Sequence, residues 1–357
     1  MTTFPASSGG AAPGGATGDS GPTLALTVGD PAGIGPEIAV RAAAEEEVRS
    51  RARVLLVGDA DIVRRAAKLC ELRAGVRVIG DPGAAGREPG SIDVLDIGAA
   101  SGEEIVPGRV SAAAGRSAVA AVETATRLAL DRQVDAVVTA PINKEAIWAA
   151  GSTHLGHTEM LGELTGARES TTMFVVRDMK IFFTTRHTSL REAVAQIDRE
   201  RVGAAIGSAL TALKVFGHPQ PRLAVAALNP HGGEGGNFGR EEIDHIAPAV
   251  EAAKADGAQV SGPVPADSVF HQALQGRYDG VLAQFHDQGH IAAKTVDFDG
   301  TVSVTVGLPI LRTSVDHGTA FDIAGTGRAS HQTMVAAALA AAGLSRFLEN
   351  IRSAYGG

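Results

Sequence analysis

The chain alternates short apolar segments with longer helical patterns, and this alternation limits the folds open to it. Apolar segments begin at Thr23 (TLALTV) and occupy 53–58 (RVLLVG) and 135–141 (DAVVTAP). Helical patterns lie near 60–70 and across 111–130. Buried parallel strands read as continuous apolar runs, and each needs a crossover, usually a helix, to reach the next. The pattern therefore predicts an α/β fold, a three-layer arrangement with a mostly parallel sheet.

The middle of the chain breaks this rhythm. The β-like segments 171–177 and 180–185 are separated by only two residues, which favours an antiparallel hairpin. A hairpin among parallel units predicts a second lobe with a mixed sheet. We therefore expect one α/β lobe from 22–145 plus 305–357 and a second from 146–304. Further strands are predicted at RLAVAAL, DGVLAQF and TVSVTV, and further helices at 189–215, 240–256 and 331–349.

Composition argues against several classes of function. Residues 1–21 contain almost no large apolar side chain, so we expect a disordered tail there. An aromatic fraction of 4% and a formal net charge of −8 argue against nucleic-acid binding. The one cysteine, Cys70, excludes an internal disulfide framework and is expected to fill core space. Because we find no apolar run of about 20 residues and no leader pattern, we expect a cytoplasmic protein without a membrane span.

Three histidines each follow an apolar strand, in the same order of strand and then imidazole. They are His187 in FFTTRHTSL, His231 in ALNPHGGEGG and His286 in LAQFHDQGH. Three neutral imidazoles from three strand ends can hold a divalent metal and leave a position open for substrate. No HxH or HExxH pattern ties them together locally, so a hydrogen-bonded structural role for each histidine is the alternative.

Two carboxylates accompany these histidines. Asp267 lies in PADSVF, and Asp287 directly follows His286. A carboxylate beside a metal can act as general acid or base, or it can orient a ligand histidine. The sequence leaves both roles open for both residues.

Two further segments could bind an anion. GHTEM contains His157 and Thr158 at the start of a predicted helix, where Thr158 could cap the helix or free N–H groups could bind a phosphate. Lys294 and Arg312 flank the predicted strand TVSVTV and could grip a phosphate, although solvated surface charges are the alternative. The Gly-rich segment 316–330 is not a GxGxxG fingerprint, and GDPAGIGPE has the wrong spacing for one, so a dinucleotide would need a different fold from the Rossmann fold.

Taken in order, the longest motifs closely resemble the 4-hydroxythreonine-4-phosphate dehydrogenase family. The similarity runs from about Thr23 to the C-terminus, and its last segment is similar to the HGSAPDIAG-type loop of isocitrate and isopropylmalate dehydrogenases. The motifs are LTVGDPAGIGPEI, TAPINKEA, GHTEML, LNPHGGEGG with Glu241 and Glu242, GPVPADSVF, FHDQGHIAAK and GLPILRTSVDHGTAFDIAG.

The resemblance implies a fold, an activity and a residue set. It implies two α/β lobes of the isocitrate/isopropylmalate dehydrogenase type, a homodimer, and oxidation of a 4-phosphorylated 3-hydroxy acid to a 3-keto acid that decarboxylates. It implies NAD, with NADP as an alternative, and one divalent metal per subunit, such as Zn, Co, Mn or Mg. The metal ligands would be His187, His231 and His286, the last supplied by the partner chain. The substrate residues would be His157, Thr158, Lys294, Ser303 and Arg312; the cofactor residues would be His317, Gly318, Thr319, Asp322 and Gly325.

Two departures from the vitamin B6 enzymes fall beside the expected substrate. Ser303 stands where those enzymes usually carry asparagine, and His290–Ile291 replaces their usual Leu–Pro. The HDQGHI form is more similar to a sister branch that acts on 4-phospho-D-threonate or 4-phospho-D-erythronate. A non-redox metal lyase or aldolase using the same histidines is the rival enzyme class. A non-catalytic binding protein on the same scaffold is the rival outside enzymes.

Overall fold

The computed structural model describes residues 21–356, which divide into two compact units. The first unit runs to Ser170 and resumes at Val302, and the second is Thr171–Thr301. The expected tail, residues 1–21, lies outside the described residues except for Gly21.

The first unit contains a seven-strand sheet with helices. The strand order is β3-β4-β2-β1-β5-β12-β11, and every paired neighbour is parallel except the antiparallel pair β11 and β12. Its strands are β1 Thr23–Thr27, β2 Arg53–Gly58, β3 Gly75–Val78, β4 Ser91–Asp96, β5 Ala136–Thr139, β11 Val302–Val306 and β12 Leu311–Ser314. Its helices are α1 Gly35–Ala44, α2 Glu46–Arg51, α3 Ala60–Leu69, α4 Ala112–Leu130, α5 Lys144–Ala149, α6 His157–Thr165, α12 Gln332–Leu344 and α13 Leu348–Tyr355.

The strand predicted at Thr23 is confirmed in this unit. Every residue of β1 is buried, as the continuous apolar run TLALT requires of a central parallel strand. A Gly-rich loop follows, and α1 begins with Pro36 in its first turn, where proline costs no hydrogen bond. The long helix α4 begins where predicted because the Ser111 side chain accepts a hydrogen bond from the amide of Ala114 at 3.2 Å.

The second unit has a mixed sheet, as predicted. Strands β6 and β7 form the expected antiparallel hairpin, while the paired neighbours in β7-β10-β8-β9 are parallel. Its strands are β6 Thr171–Val176, β7 Met179–Phe183, β8 Leu223–Ala226, β9 Val260–Val264 and β10 Gly280–Ala283. Its helices are α7 Leu190–Ala195, α8 Arg199–Val215, α9 Ala247–Ala255, α10 Ala266–Leu274 and α11 His286–Val296, with a π-helical turn at Glu242–Ile246.

The boundaries between the units differ from those expected. The expected boundaries were 145/146 and 304/305, whereas the observed ones are 170/171 and 301/302. The first shift arises because α5 and α6 both pack on α4 of the first unit. The segment with His157 and Thr158 and the strand with Ser303 therefore belong to the first unit.

One helical segment differs from the expectation about membrane spans. Gln332–Tyr355, 24 residues, is long and apolar enough by length and composition to cross a membrane. The segment comprises α12 and α13, joined by a 3-10 turn at Ser345–Phe347. Helix α12 packs against β5, β11, β12, α1 and α2, so its apolar side chains are those of a core helix.

Candidate active site

The three predicted metal ligands follow three parallel strands of the second unit. Because β7, β8 and β10 run parallel, their carboxyl ends lie at one edge of the sheet, where open α/β sheets bind ligands. His187 follows β7, His231 lies in the turn Pro230–Gly236 after β8, and His286 begins α11 after β10. The strand-end placement predicted for these histidines is what the structure shows.

Two of these histidines lie close together in one chain. The ring centroids of His187 and His286 are 5.9 Å apart, a separation at which both imidazoles can reach one ion. The residues described by the structure include no group of three or more His, Cys, Asp or Glu side chains arranged to hold a metal. A single chain thus brings two expected ligands together, and the His286 that the resemblance assigns to a partner lies beside its own His187.

The backbone at His187 and His231 is strained. Their φ angles are +43° and +54°, in the left-handed region that non-glycine residues rarely adopt. Each such residue costs on the order of 1–3 kcal/mol and persists only where its surroundings enforce it. Strain of this kind at two of three expected ligands is typical of a functional site.

A buried carboxylate holds the turn that contains His231. Residues 231–235 all have left-handed φ angles. Glu242, 2% exposed, accepts hydrogen bonds from the amides of Leu228 and Asn229 at 2.8 and 2.7 Å and from the Asn229 side chain at 2.9 Å. A Cβ at Gly233 would fall 2.8 Å from the Glu242 carboxylate, so only glycine fits there. Glu242 therefore fixes the path of the chain around His231.

A buried glutamine joins the three strand ends. Gln284 is fully buried directly after β10; its side chain donates to the Ala226 carbonyl of β8 at 2.7 Å and accepts from the Thr184 hydroxyl after β7 at 3.1 Å. Gln288 extends the network by accepting from the Gln284 amide at 2.7 Å and donating to the Ala227 carbonyl at 2.8 Å. Satisfied buried networks of this kind fix geometry, here at the three strands that precede the histidines.

The two predicted catalytic carboxylates have different surroundings. Asp287 Oδ1 lies 2.6 Å from Nδ1 of His286, which would leave Nε2 as the ligand atom if His286 binds a metal. This is the carboxylate–histidine arrangement that orients metal ligands, so the geometry favours the orienting role for Asp287. Asp267 is exposed in the first turn of α10, a helix that contacts the Pro230–Gly236 turn.

In the first unit, Arg312 is a buried cation. It is 5% exposed on β12, and its guanidinium donates to the hydroxyls of Thr139 at 2.6 and 3.1 Å and of Thr305 at 2.9 Å. No carboxylate among the described residues forms an ion pair or hydrogen bond with it. Burial lowers the pKa of Arg312 to about 9. The burial of Arg312 argues against the alternative of a solvated surface charge and is consistent with the expected binding role.

His157 lies within electrostatic reach of Arg312. Burial and the nearby Arg312 charge hold the pKa of His157 well below its usual range, so its imidazole is neutral. Its Nε2 atom is buried without a hydrogen-bond partner in the described structure. A neutral imidazole and a buried guanidinium together form a strong donor set for an anion.

The predicted cap at Thr158 is wrong. Helix α6 begins at His157, and its N-cap is Gly156, which provides no side-chain hydrogen bond. Thr158 therefore lies inside the first turn, two residues after the N-cap position. The uncapped amides of this nine-residue helix remain available to an anion beside His157.

The remaining two substrate candidates lie in different units. Ser303 is 8% exposed on β11 and pairs across the ladder with Ser314, whose hydroxyl lies 3.0 Å from that of Thr139. Lys294 lies near the end of α11 in the second unit, with its ammonium 5.3 Å from the centroid of the Phe298 ring.

Helix α1 anchors the predicted cofactor loop. Glu37 accepts a hydrogen bond from the Gly325 amide at 2.6 Å, and Arg41 donates to the carbonyls of Gly327 and Ala329 at 2.6 and 2.9 Å. The Thr319 carbonyl accepts from the Ile34 amide at 3.0 Å. The Gly-rich loop after β1 and the predicted cofactor loop are therefore bonded together.

The other predicted cofactor residues lie on the exposed side of this loop. His317 contacts the Gly318 carbonyl at 3.0 Å and the Thr333 hydroxyl at 2.9 Å, while the side chain of Asp322 is exposed. The loop is thus hydrogen-bonded to α1 and exposed at His317 and Asp322, which is consistent with a role in ligand binding.

Sequence reasoning missed one buried acid. Asp30 is fully buried in the loop after β1; one carboxylate oxygen accepts from the Ala32 amide at 2.8 Å, and the other has no partner in the described structure. Burial raises the pKa of Asp30 to about 6. Perturbed carboxyls at strand ends are candidates for functional groups. Asp30 lies in the motif LTVGDPAGIGPEI, but nothing in that motif indicates that its carboxyl is buried.

Comparison with known proteins identifies the relatives of this chain. The family model described as pyridoxal phosphate biosynthetic protein PdxA matches residues 50–341. A Cutibacterium acnes protein named, provisionally, as a D-threonate 4-phosphate dehydrogenase is 55% identical over 335 residues, 94% of this chain and 97% of the relative. A Symbiobacterium thermophilum protein of the same provisional name is 50% identical, over 87% and 93%.

A solved structure gives the same result for the fold. The 4-hydroxythreonine-4-phosphate dehydrogenase of Klebsiella pneumoniae is 44% identical to this chain. The match covers 91% of this chain and 99% of that one, with a TM-score of 0.85. The α/β architecture with a mostly parallel sheet is thus shared with an experimentally solved relative.

Proposed function

The chain belongs to the family of the pyridoxal phosphate biosynthetic protein PdxA, and on that premise we propose that it is a metal- and NAD-dependent dehydrogenase of a 4-phosphorylated hydroxy acid. The observation that carries this proposal is the buried guanidinium of Arg312, which has only hydroxyl partners. A buried cation without a carboxylate is costly unless an anion neutralises it. A phosphate provides that charge and matches the forked guanidinium.

The phosphate pocket would also use the first turn of α6. His157 is neutral and can donate one N–H, and the uncapped amides at this helix start add further donors. We assign Ser303 and Thr158 to the same pocket and Lys294 to the substrate, as the family resemblance implies.

The metal would be held by His187, His231 and His286. The position of all three histidines after parallel strands and the left-handed backbone at His187 and His231 support the fit. A bound divalent ion would polarise the reacting hydroxyl and the later carbonyl oxygen. Three imidazoles suit Zn or Co, with Mn or Mg as alternatives.

NAD, with NADP as the alternative, would lie against the loop that contains His317, Gly318, Thr319, Asp322 and Gly325. Support comes from the anchoring of this loop by Glu37 and Arg41 of α1. The cofactor would accept the hydride.

The reaction removes a hydride from C3 and a proton from its hydroxyl, giving a 3-keto acid. A carboxylate of this chain takes the proton, and Asp267 is our candidate because Asp287 is bonded to His286. The keto acid then loses its carboxylate as CO2, and the resulting enolate takes up a proton to form a ketone. The net products are the phosphorylated ketone, CO2 and reduced cofactor.

We propose 4-phospho-D-threonate as the substrate, with 4-hydroxythreonine-4-phosphate as the second candidate. Relatives that carry the D-threonate name are 50% and 55% identical, whereas the solved structure that carries the 4-hydroxythreonine name is 44% identical. The HDQGHI motif favours the same choice. The presence of family members with both names keeps the second candidate in the test.

The test is a panel of 4-phosphorylated hydroxy acids, assayed with NAD and a divalent metal. We expect the highest kcat/KM with 4-phospho-D-threonate. A higher value for 4-hydroxythreonine-4-phosphate would assign the chain to vitamin B6 synthesis. Consumption of either acid without NADH would support the non-redox lyase instead.

Three properties of the whole protein are part of the proposal. We propose a homodimer with a shared active site, as the family resemblance implies. We propose a cytoplasmic location without membrane attachment, consistent with one free cysteine and a phosphorylated substrate. We propose no nucleic-acid partner, consistent with the net charge of −8.

A further inference from the structure

A second histidine of α11 lies against the expected ligand His286. The rings of His286 and His290 are stacked with 3.5 Å between centroids and 13° between planes. Nδ1 of His290 also lies 2.9 Å from the His286 carbonyl, which can only accept, so Nδ1 is the donor. His290 therefore contacts both the ring and the backbone of the same residue.

The core of the second unit fixes His290 in turn. It is 9% exposed, and its ring packs edge-on against Phe174 at 4.2 Å and tilted against Phe183 at 4.9 Å. A Cβ at Gly289 would fall 2.5 Å from the Phe183 ring, so this glycine allows α11 to approach the two aromatic residues. His290 is thus packed in the core, whereas the side chain of His286 is 40% exposed.

The His286 ring is held on two sides. Asp287 bonds to its Nδ1 at 2.6 Å, and His290 covers one face. Without the stacked ring, a partly exposed histidine at the start of a helix could adopt other rotamers. Locking the rotamer before the metal binds avoids an entropy cost during binding.

We propose that His290 is a positioning residue that holds His286 in the orientation required for metal binding. This inference rests on the proposed function, since it takes His286 as a ligand. His290 contacts the ligand and need not contact the ion itself. Residues that orient metal ligands typically change metal affinity by about 10–100-fold when they are replaced.

The test measures the dissociation constant of Zn²⁺ alone, by competition with a chromophoric chelator, on the chelator-treated full chain. His290→Leu should weaken Zn²⁺ binding by about 10-fold or more. His290→Phe keeps a stacking ring and should therefore retain most of the Zn²⁺ affinity of the parent protein. His290→Asn keeps a donor near the Nδ1 position but loses the ring, so it should bind as weakly as the leucine variant.

The control is His271→Leu, which removes an exposed histidine from α10 and should bind Zn²⁺ as the parent protein does. Thermal unfolding of each metal-free variant separates a loss of stability from a loss of affinity. If His290→Leu does not fold, the Zn²⁺ affinities of His290→Phe and His290→Asn are compared instead. Equal affinities in these two variants would overturn the proposal.

Two other results also count against the proposal. Unchanged Zn²⁺ affinity in a folded His290→Leu protein would overturn the positioning role while leaving the proposed function intact. If the parent protein binds none of Zn²⁺, Co²⁺, Mn²⁺ and Mg²⁺, both the positioning role and the proposed function are overturned.

Discussion

At the scale of single side chains, Arg312 is a buried cation without a carboxylate partner among the described residues. Its guanidinium is buried on a strand, bonds only to the hydroxyls of Thr139 and Thr305, and has a pKa of about 9 because of burial. The charged form is disfavoured in the folded protein, and a bound anion would reverse that penalty. The sequence alone could not distinguish this residue from a surface charge, because LPILRTS reads the same in both cases.

Inorganic phosphate should therefore stabilise the protein through Arg312. At 100 times its dissociation constant, a ligand that binds only the folded state adds about 2.7 kcal/mol. We expect phosphate to raise the Tm of the parent protein and to have little effect on Arg312→Gln, since the charge-assisted bond is worth about 1.5–3 kcal/mol. Arg127→Gln, on the exposed face of α4, is the matched control. Equal phosphate shifts in all three proteins would remove Arg312 from the pocket.

Asp30 should produce a measurable pH dependence of stability. Its pKa is raised to about 6, so the folded state binds more protons than the unfolded state between about pH 4 and 6. Its contribution is present below the unfolded pKa and is lost as pH rises through 6, roughly 3 kcal/mol in total. Asp30→Asn does not titrate, so its stability relative to the parent should increase from pH 4 to 7 in urea unfolding. A constant difference across that range would contradict the assigned pKa.

Among helices and strands, the sequence predicted best those strands that form continuous apolar runs. The predicted bounds of β1 and β2 agree closely with the observed ones. Both faces of each strand are buried, so each strand is a continuous apolar run in the sequence. Four strands were missed: GVRV of β3 is largely exposed, VSGPV of β9 contains Gly-Pro, and SIDVLD of β4 and LRTS of β12 interrupt the apolar pattern with polar residues. The helix expected at 189–215 is interrupted because the Asp198 side chain caps a new helix at 2.7 Å.

Strand ends revealed the histidines but not the residue that joins them. A histidine after an apolar strand is visible in sequence, and all three were placed at the correct edge of the sheet. Gln284 has no such signal, because its importance comes from Ala226 and Thr184, which are distant in the chain. Long-range hydrogen bonds of buried amides cannot be read from a local pattern.

Gln284→Met should reveal this network. The apolar side chain has nearly the same length but leaves the Ala226 carbonyl and the Thr184 hydroxyl without their bonds, at a cost of about 1–3 kcal/mol each. We expect a lower free energy of unfolding in urea and weaker Zn²⁺ binding. Gln220→Met, at an exposed position, is the control. Normal Zn²⁺ affinity in a destabilised Gln284→Met protein would show that the network supports the fold but not the site.

For the protein as a whole, the two-unit organisation was predictable, and the location of the boundaries was not. The hairpin at 171–177 and 180–185 identified the second unit because antiparallel strands stand out from a parallel pattern. The boundary moved to residue 170 because α5 and α6 pack on α4, a contact that no local composition change signals. We propose that the complete metal site requires a second chain.

Mixing two inactive variants tests a shared site. In a homodimer whose His286 comes from the partner, His231→Ala and His286→Ala chains would form mixed dimers with one intact site. Random exchange of subunits should therefore restore about one quarter of the parent activity. No recovery, with mixed dimers demonstrated by mass spectrometry, would mean that each site takes all its ligands from one chain.

The central claim is that the histidine site and the phosphate pocket serve one oxidative decarboxylation. The most direct measurement is the amount of NADH and CO2 formed per molecule of 4-phospho-D-threonate consumed, with and without prior removal of metal. We predict one NADH and one CO2 per substrate with metal and neither product after its removal. Consumption of the substrate without NADH, or full NADH yield after complete metal removal, would contradict the account.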